Sequence, residues 1–311
     1  MAMKTLFNRI IILLMSLSAF PFISSAQALP FTSADYDPVA LAKGTASLTQ
    51  TSSIAYSSFG NAAAIPFSDL KGDFAAGFTM WAPGGVSTNV LNVAGAYNVK
   101  QKFGIALGLS YGMNPAYDIY DATGAVKGQF KPSEMQFKAG LSYRFLPFMS
   151  VGANIGYASS KLAEGTGYGS LVADVFLMAK FGGFKAAAGV SDLGSGITSA
   201  SGAKFSLPAA ASLGLGYDAV LGEKSLVDVQ LDADYYFSGT FAAGAGASYT
   251  YDDFISVRAG YRYGGESVIP SFLSLGAGVR FMGIRLDLAY LVASGDSPLS
   301  NTLSLSVGYN F

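Results

Sequence analysis

The sequence predicts an all-β chain: a transmembrane β-barrel of the outer-membrane type, with about 14 antiparallel strands behind an N-terminal hatch. Three observations lead there. First, Leu303, Leu305, Val307, Tyr309 and Phe311 alternate with Thr302, Ser304, Ser306, Gly308 and Asn310. A strand has a period of two, so one face is apolar and ends in aromatics while the other is small and polar without charge. That pattern suits one face in lipid with an aromatic anchor at the membrane edge. Second, mean hydropathy is +0.38, with only 13% charged residues, yet no run after the N-terminal leader is long and apolar enough for a membrane helix. Alternation of lipid-facing and lumen-facing residues gives high hydropathy without long apolar runs. Third, the N-terminus reads as a secretory leader.

In that leader, residues 1–28, Lys4 and Arg9 form a basic n-region. Ile10 to Phe20 is apolar and closed by Pro21, and Ala26-Gln27-Ala28 is a small-x-small cleavage site, with Ala28 the expected point of cut and Ala26 the alternative. A spanning helix needs about 20 apolar residues, which this run does not supply.

Residues 29–68 do not alternate. Asp37-Pro38 opens a short helix-like stretch to Lys43, with Pro at a first-turn position. Small residues follow, through Ser52-Ser53-Ile54-Ala55-Tyr56 to Asn61-Ala62-Ala63-Ala64-Ile65-Pro66. A free tail would be more polar. The segment is therefore expected to fold into the lumen, with Asn61 near the start of the first strand. Its Ser, Thr and Asn side chains are expected to meet Asp73, Asp232 and Arg258, and Ile54, Tyr56, Phe59 and Ile65 to meet Phe176 and Met178.

Residues 69–311 carry the barrel, with strands expected near 69–81, 86–98, 102–113, 133–146, 148–159, 167–182, 184–192, 206–218, 224–237, 241–251, 254–264, 270–281, 283–294 and 300–311. The count is even, as in bacterial barrels. Connections after even strands are short: Leu146-Pro147, Phe181 to Phe184, Tyr251 to Phe254, and Phe281 to Gly283. Long ones, Asn114–Pro132, Ser160–Thr166 and Leu193–Phe205, follow odd strands. Short turns belong to the periplasmic rim, which places both termini there. Aromatics such as Tyr143, Phe145, Phe181, Phe184, Tyr249 and Tyr251 flank the short turns as a girdle.

Outward sets are apolar: Met135, Phe137, Ala139, Leu141, Tyr143 and Phe145 on one strand, and Val227, Val229, Leu231, Ala233 and Tyr235 on another. The inward partners carry the charges: Glu134, Lys138 and Arg144; Asp228, Asp232 and Asp234; and then Arg258, Arg262, Arg280, Arg285 and Asp287. Acidic residues on the ninth strand and basic ones on the eleventh to thirteenth suggest a salt-bridged wall, either holding the barrel or lining a permeation path. The sixth strand differs. Its inward Val172, Asp174, Phe176, Met178 and Lys180 make an apolar patch, for a greasy ligand or for a plug.

Composition excludes several chemistries. There is no His and no Cys. His general bases, the Ser-His-Asp triad, thiolate nucleophiles and thiolate zinc sites are therefore absent. Net charge of −1 offers no basic surface for nucleic acid. No cofactor or metal set emerges. Asp228, Asp232 and Asp234 could be imagined as an acid-protease set, but along one strand they spread over about 20 Å. A non-enzymatic role is expected.

The chain resembles a known family in two places. Gly44, Ala46, Ala55 and Asn61-Ala62-Ala63 are similar to a glycine-turn, small-residue and Asn-Pro-Ala pattern, here without the proline. Asp121-Ala122-Thr123-Gly124 and Gly128-Gln129-Phe130-Lys131-Pro132-Ser133-Glu134 resemble its D-x-x-G and G-x-F-x-P-[SN]-E motifs, and Asp174 stands where an inward Asp is frequent. These are features of the PorV/PorQ family of Bacteroidetes outer-membrane proteins, within the FadL-like superfamily of long-chain fatty-acid transporters. The resemblance implies a component of type IX secretion that contacts translocon or cargo proteins. Its alternative is passive uptake of a hydrophobic ligand through the hatch, and a third reading is a general porin. Outer-membrane lipid and the assembly machinery are implied partners, the latter reading Tyr309 and Phe311. Asn61, Asp174, Phe176, Met178, Asp228, Asp232, Arg258, Arg262 and Arg280 are the candidate hatch and lumen residues.

Overall fold

A computed structural model describes residues 28–81, 88–198, 202–264, 270–293, 297 and 299–311; the leader up to Gln27 lies outside the described residues. The wall is a closed antiparallel barrel of fourteen strands. In chain order they are β1 (Gly72–Trp81), β2 (Thr88–Val99), β3 (Phe103–Met113), β6 (Ser133–Leu146), β7 (Met149–Ala163), β8 (Thr166–Phe181), β9 (Phe184–Leu193), β12 (Ala210–Leu221), β13 (Ser225–Tyr236), β14 (Thr240–Tyr251), β15 (Ile255–Tyr263), β16 (Phe272–Phe281), β17 (Ile284–Ala293) and β18 (Leu303–Asn310). Two small hairpins stand in the connections: β4 (Tyr117–Tyr120) with β5 (Val126–Phe130), and β10 (Ile197–Thr198) with β11 (Lys204–Phe205). Each wall strand pairs with its wall neighbours in sequence, and β1 pairs with β18 to close the cylinder, from Asp73 opposite Asn310 to Met80 opposite Leu303. Closure removes the free sheet edges that lipid cannot satisfy.

The faces divide as the alternation dictates. Gln136 is fully buried, while Leu141 on the opposite face of β6 is 66% exposed. Phe137, Leu171, Val229, Leu231 and Leu273 are likewise exposed. The buried set includes Lys43, Lys138, Lys185, Asp174 and Arg285. A polar interior under an apolar exterior inverts the arrangement of a soluble protein and belongs to a barrel in lipid. Aromatics crowd the rim of the short turns: Phe103 stacks on Tyr143 and Phe148 on Phe181, each with ring centroids 4.9 Å apart. Phe74 stacks on Phe311 at 6.4 Å.

Several expected boundaries move. The first strand begins at Gly72 rather than 69, because Ser68 accepts from Leu70 N–H in a turn and Lys71 N–H bonds to Phe311 O. The last begins at Leu303, after a turn that holds Asn301 at φ 63°. Ser160–Thr166 is not a loop: β7 and β8 run on to a turn between Ala163 and Thr166. The eighth wall strand, β12, starts at Ala210, since β10 and β11 occupy the connection before it.

Residues 28–71 lie within the wall. The segment holds 3-10 turns at Pro30–Ser33, Ala55–Ser58 and Ala62–Phe67 and one helical turn, α1 (Pro38–Leu41). Asp37 caps α1 by accepting from Val39 N–H at 2.9 Å, and Asn61 caps the last turn by accepting from Ala63 N–H at 2.8 Å. These short elements cannot satisfy all their own backbone groups, so the inward side chains of the wall do so.

Candidate functional site

The segment is tied to the wall by charged groups. Asp73 of β1 accepts from Ile54 N–H at 2.8 Å and Ala55 N–H at 3.0 Å, and forms an ion pair with Arg285 of β17. Asp232 of β13 accepts from Ser47 N–H at 2.6 Å and Leu48 N–H at 2.8 Å. Lys43 donates to Asp228, whose other oxygen takes Lys185 of β9 at 3.1 Å. Ser274 of β16 accepts from Gly44 N–H at 3.0 Å. Two carboxylates thus act as acceptors for pairs of adjacent orphan N–H groups, a task suited to a full negative charge.

Close approach completes the fit. A Cβ built on Gly260 would lie 2.1 Å from Lys43 C, and Gly44 itself sits at φ 66° against the Tyr261 backbone. Only glycine allows backbone to meet backbone here.

The expected site residues separate into three groups. Asp174, Phe176 and Met178 remain together on β8. Asp174 binds Lys138 at 2.9 Å and Asn154 at 3.1 Å, and accepts from Asp192 N–H at 2.8 Å. The last bond replaces a ladder bond at a bulge, where the register slips between Ala173 and Val175 and Asp192 takes φ 54°. Phe176 and Met178 pack on Ala63, Ala64, Phe67 and Leu48. The apolar patch therefore receives the segment, but through different residues than expected. Ile54, Ala62 and Ile65 instead pack on Ala96 and Ala106, while Tyr56 and Phe59 join Tyr36 against Ala75, Val90 and Ala94. The 3-10 turn that the Asn61 cap starts places Ala63 and Ala64 against β8 and Ala62 and Ile65 against β2 and β3. Asn61 donates to Leu48 O at 2.7 Å, so its bonds are within the segment rather than to the start of β1.

One expected pairing between the ninth and eleventh wall strands forms, Asp234 with Arg262, and the other charges pair differently. Asp228 goes to Lys43 and Lys185, not to an arginine of the later strands. Arg258 pairs with Asp287 at 2.8 Å and makes no bond to the segment. Arg262 bonds Asp234 at 3.0 Å and also Thr45 of the segment. Arg280 bonds Asp253 at the rim. The three acids Asp228, Asp232 and Asp234 have separate partners and form no catalytic set. Sequence reasoning missed Lys43, Lys185 and Asp192; only the inward parity of Lys185 signalled a role.

Between the segment and the upper wall lies a cavity of about 270 Å³. Leu48, Phe59, Phe176 and Tyr236 supply apolar surface, and Asp35, Asp232, Asp234 and Arg262 supply polar groups. Burial, then the neighbouring Asp37, pushes the Asp35 carboxyl up to about 7. Burial also pushes Asp37 up, against the opposing pull of Arg285.

The closed fourteen-strand barrel is similar in fold to several solved structures. The chain is similar to the toluene transporter TbuX of Ralstonia pickettii, with a TM-score of 0.65 at 11% identity over 90% of this chain and 99% of that one. It is also similar to the toluene transporter TodX of Pseudomonas putida, with a TM-score of 0.62 at 14% identity over 93% of this chain and 99% of that one. A third likeness is a FadL homologue of Pseudomonas aeruginosa, with a TM-score of 0.53 at 12% identity over 93% of this chain and 99% of that one. At these identities the likeness is one of fold. No protein-family model and no curated protein matches the chain.

Proposed function

We propose that this protein is a passive outer-membrane channel for small hydrophobic molecules, with residues 29–68 as its hatch and the rim of short turns facing the periplasm. The observation that carries the reading is the cavity enclosed between the segment and the wall, with Leu48, Phe59 and Phe176 on its surface. A pocket that joins apolar side chains to convergent polar groups suits a small ligand. Two structures of the same fold are toluene transporters, which favours uptake over type IX secretion. In this reading the leader 1–28 directs export, and Tyr309 and Phe311 are read by the assembly machinery.

The test is uptake. Cells carrying the protein should accumulate labelled toluene faster than cells lacking it, while steady ion conductance of the purified protein stays small. Equal accumulation in both would end this reading, and a large steady conductance would favour a general porin.

A further inference from the structure

We propose that the cavity prefers molecules with an apolar body and a protonated amine, so that the channel favours small organic ammonium compounds over neutral hydrocarbons of the same size. This rests on the channel reading above and narrows it.

The first observation is charge. Asp35, Asp37, Asp192, Asp232 and Asp234 line the cavity, with Arg262 as the basic group among them. Three of the five carboxylates have strong partners. Asp192 is held by Lys138 at 3.1 Å, Asp234 by Arg262 at 3.0 Å, and Asp37 accepts from Gln50 at 2.7 Å and Val39 N–H at 2.9 Å. Asp35 and Asp232 form no salt bridge among the described residues. Asp35 accepts from Asp37 N–H at 3.1 Å, and Asp232 takes only the two segment N–H groups.

The second observation is independent of the acids. Gln50, 6% exposed, also lines the cavity, and its Oε1 has no hydrogen-bond partner among the described residues. Asp232 is 2% exposed, and its Oδ1 is likewise unpartnered. Both atoms can only accept, and Arg262 Nε is the one unpartnered donor on the same lining among the described residues, so unmade acceptors outnumber unmade donors. A buried acceptor left unmade is costly, and an unpaired carboxylate more so. An ammonium supplies three donors and a positive charge. Leu48, Phe59, Phe176 and Tyr236 would meet the apolar body, the tyrosine and phenylalanine rings adding cation–π attraction where they face the nitrogen.

Proton linkage offers a further readout. Asp35 is pushed up to about 7, first by burial, then by Asp37 of its own segment and by Asp232 of β13, against Arg262 of β15. An alkylammonium stays charged through this range. Amine binding should weaken as pH falls from 8 toward 6 and Asp35 takes a proton.

Full-length protein in detergent micelles would be titrated calorimetrically with benzylamine, toluene and benzoate, which share a ring and differ in charge. Benzylamine should bind about tenfold or more tightly than toluene, the worth of one charge-assisted hydrogen bond, and benzoate should not bind. Asp35→Asn and Asp232→Asn should each weaken benzylamine about tenfold and leave toluene unchanged. If Asp232→Asn does not assemble, Asp35→Asn decides, because Asp35 bonds only the N–H of Asp37. Toluene binding as tightly as benzylamine, or benzylamine unaffected by Asp35→Asn, overturns the ammonium preference and leaves the hydrophobic channel standing. Binding of none of the three overturns both.

Discussion

Lys43 Nζ lies 2.9 Å from Asp228 Oδ1, with the two side chains 1% and 8% exposed, and this pair joins the N-terminal segment to β13 across 185 residues of chain. The same Asp228 is bound by Lys185, so the carboxylate stays compensated if Lys43 is lost. Breaking a buried pair costs about 3–5 kcal/mol when the remaining charge is stranded. Lys43→Met should cost less than that, and the loss should fall on docking of the segment rather than on the wall. Ion conductance should rise while heat-modifiable migration in detergent gels is kept. Unchanged conductance would show that the pair does not hold the segment.

Gly260→Val places side-chain atoms where Lys43 C now stands 2.1 Å from the glycine's virtual Cβ. Overpacking of this kind costs about 1–3 kcal/mol. The expected outcome is a leakier barrel with normal β-sheet circular dichroism. The same substitution at Gly128, where a Cβ would meet nothing, should change neither measurement.

Removing residues 40–60 takes away the segment's bonds to Asp73, Asp228 and Asp232 together, while Arg285 and Lys185 still compensate the first two. The wall keeps every ladder bond, since the barrel closes through β1 and β18. The truncated chain should assemble, conduct ions steadily and admit bulky antibiotics. An assembled deletion with the conductance of the full chain would mean that the segment is not a plug.

Phe311 bonds through its backbone to Lys71 and Gly72, and its ring is half exposed beside Phe74 and Tyr309. Phe311→Ala keeps the backbone bonds and gives up about 1–2 kcal/mol of ring burial. Outer-membrane levels should drop more than the denaturant midpoint of the barrel that does assemble. Equal levels of mutant and parent would remove the case for an assembly signal.

Fold and faces were legible because a strand's period of two commits every residue to one side. Glu134 and Lys138 alternate with Phe137 and Leu141, so one inward charge fixed the sense of β6. Which inward charges meet was not legible. Alternation places Asp228 in the lumen but does not say whether Lys43, Lys185 or Arg262 arrives there. That depends on how an irregular segment coils, and its contacts span most of the chain. The bulge at Asp192 was also invisible, because an aspartate tolerates the left-handed backbone that normally betrays itself as glycine. The β4–β5 hairpin carried a turn signature in Asp121-Ala122-Thr123-Gly124, where Asp121 accepts from Thr123 and Ala125 N–H, but the connection is read as a loop when only lipid-length strands are sought.

The seam between β1 and β18 has a kinetic corollary. Its partners come from opposite ends of the wall, so among the wall pairings it has the greatest sequence separation and is the last for which loop entropy must be met. The glycine contacts of the segment lie deep inside the cylinder that this seam shuts. A wall closed empty would have to be entered afterwards through its rim by a lysine that must travel to a buried carboxylate on the wall. The economical order is the reverse: strands gather around the segment, and the cylinder is zipped last. The N-terminal residues are then already inside when the sheet meets itself, and slow closure, rather than slow strand formation, should set the folding rate.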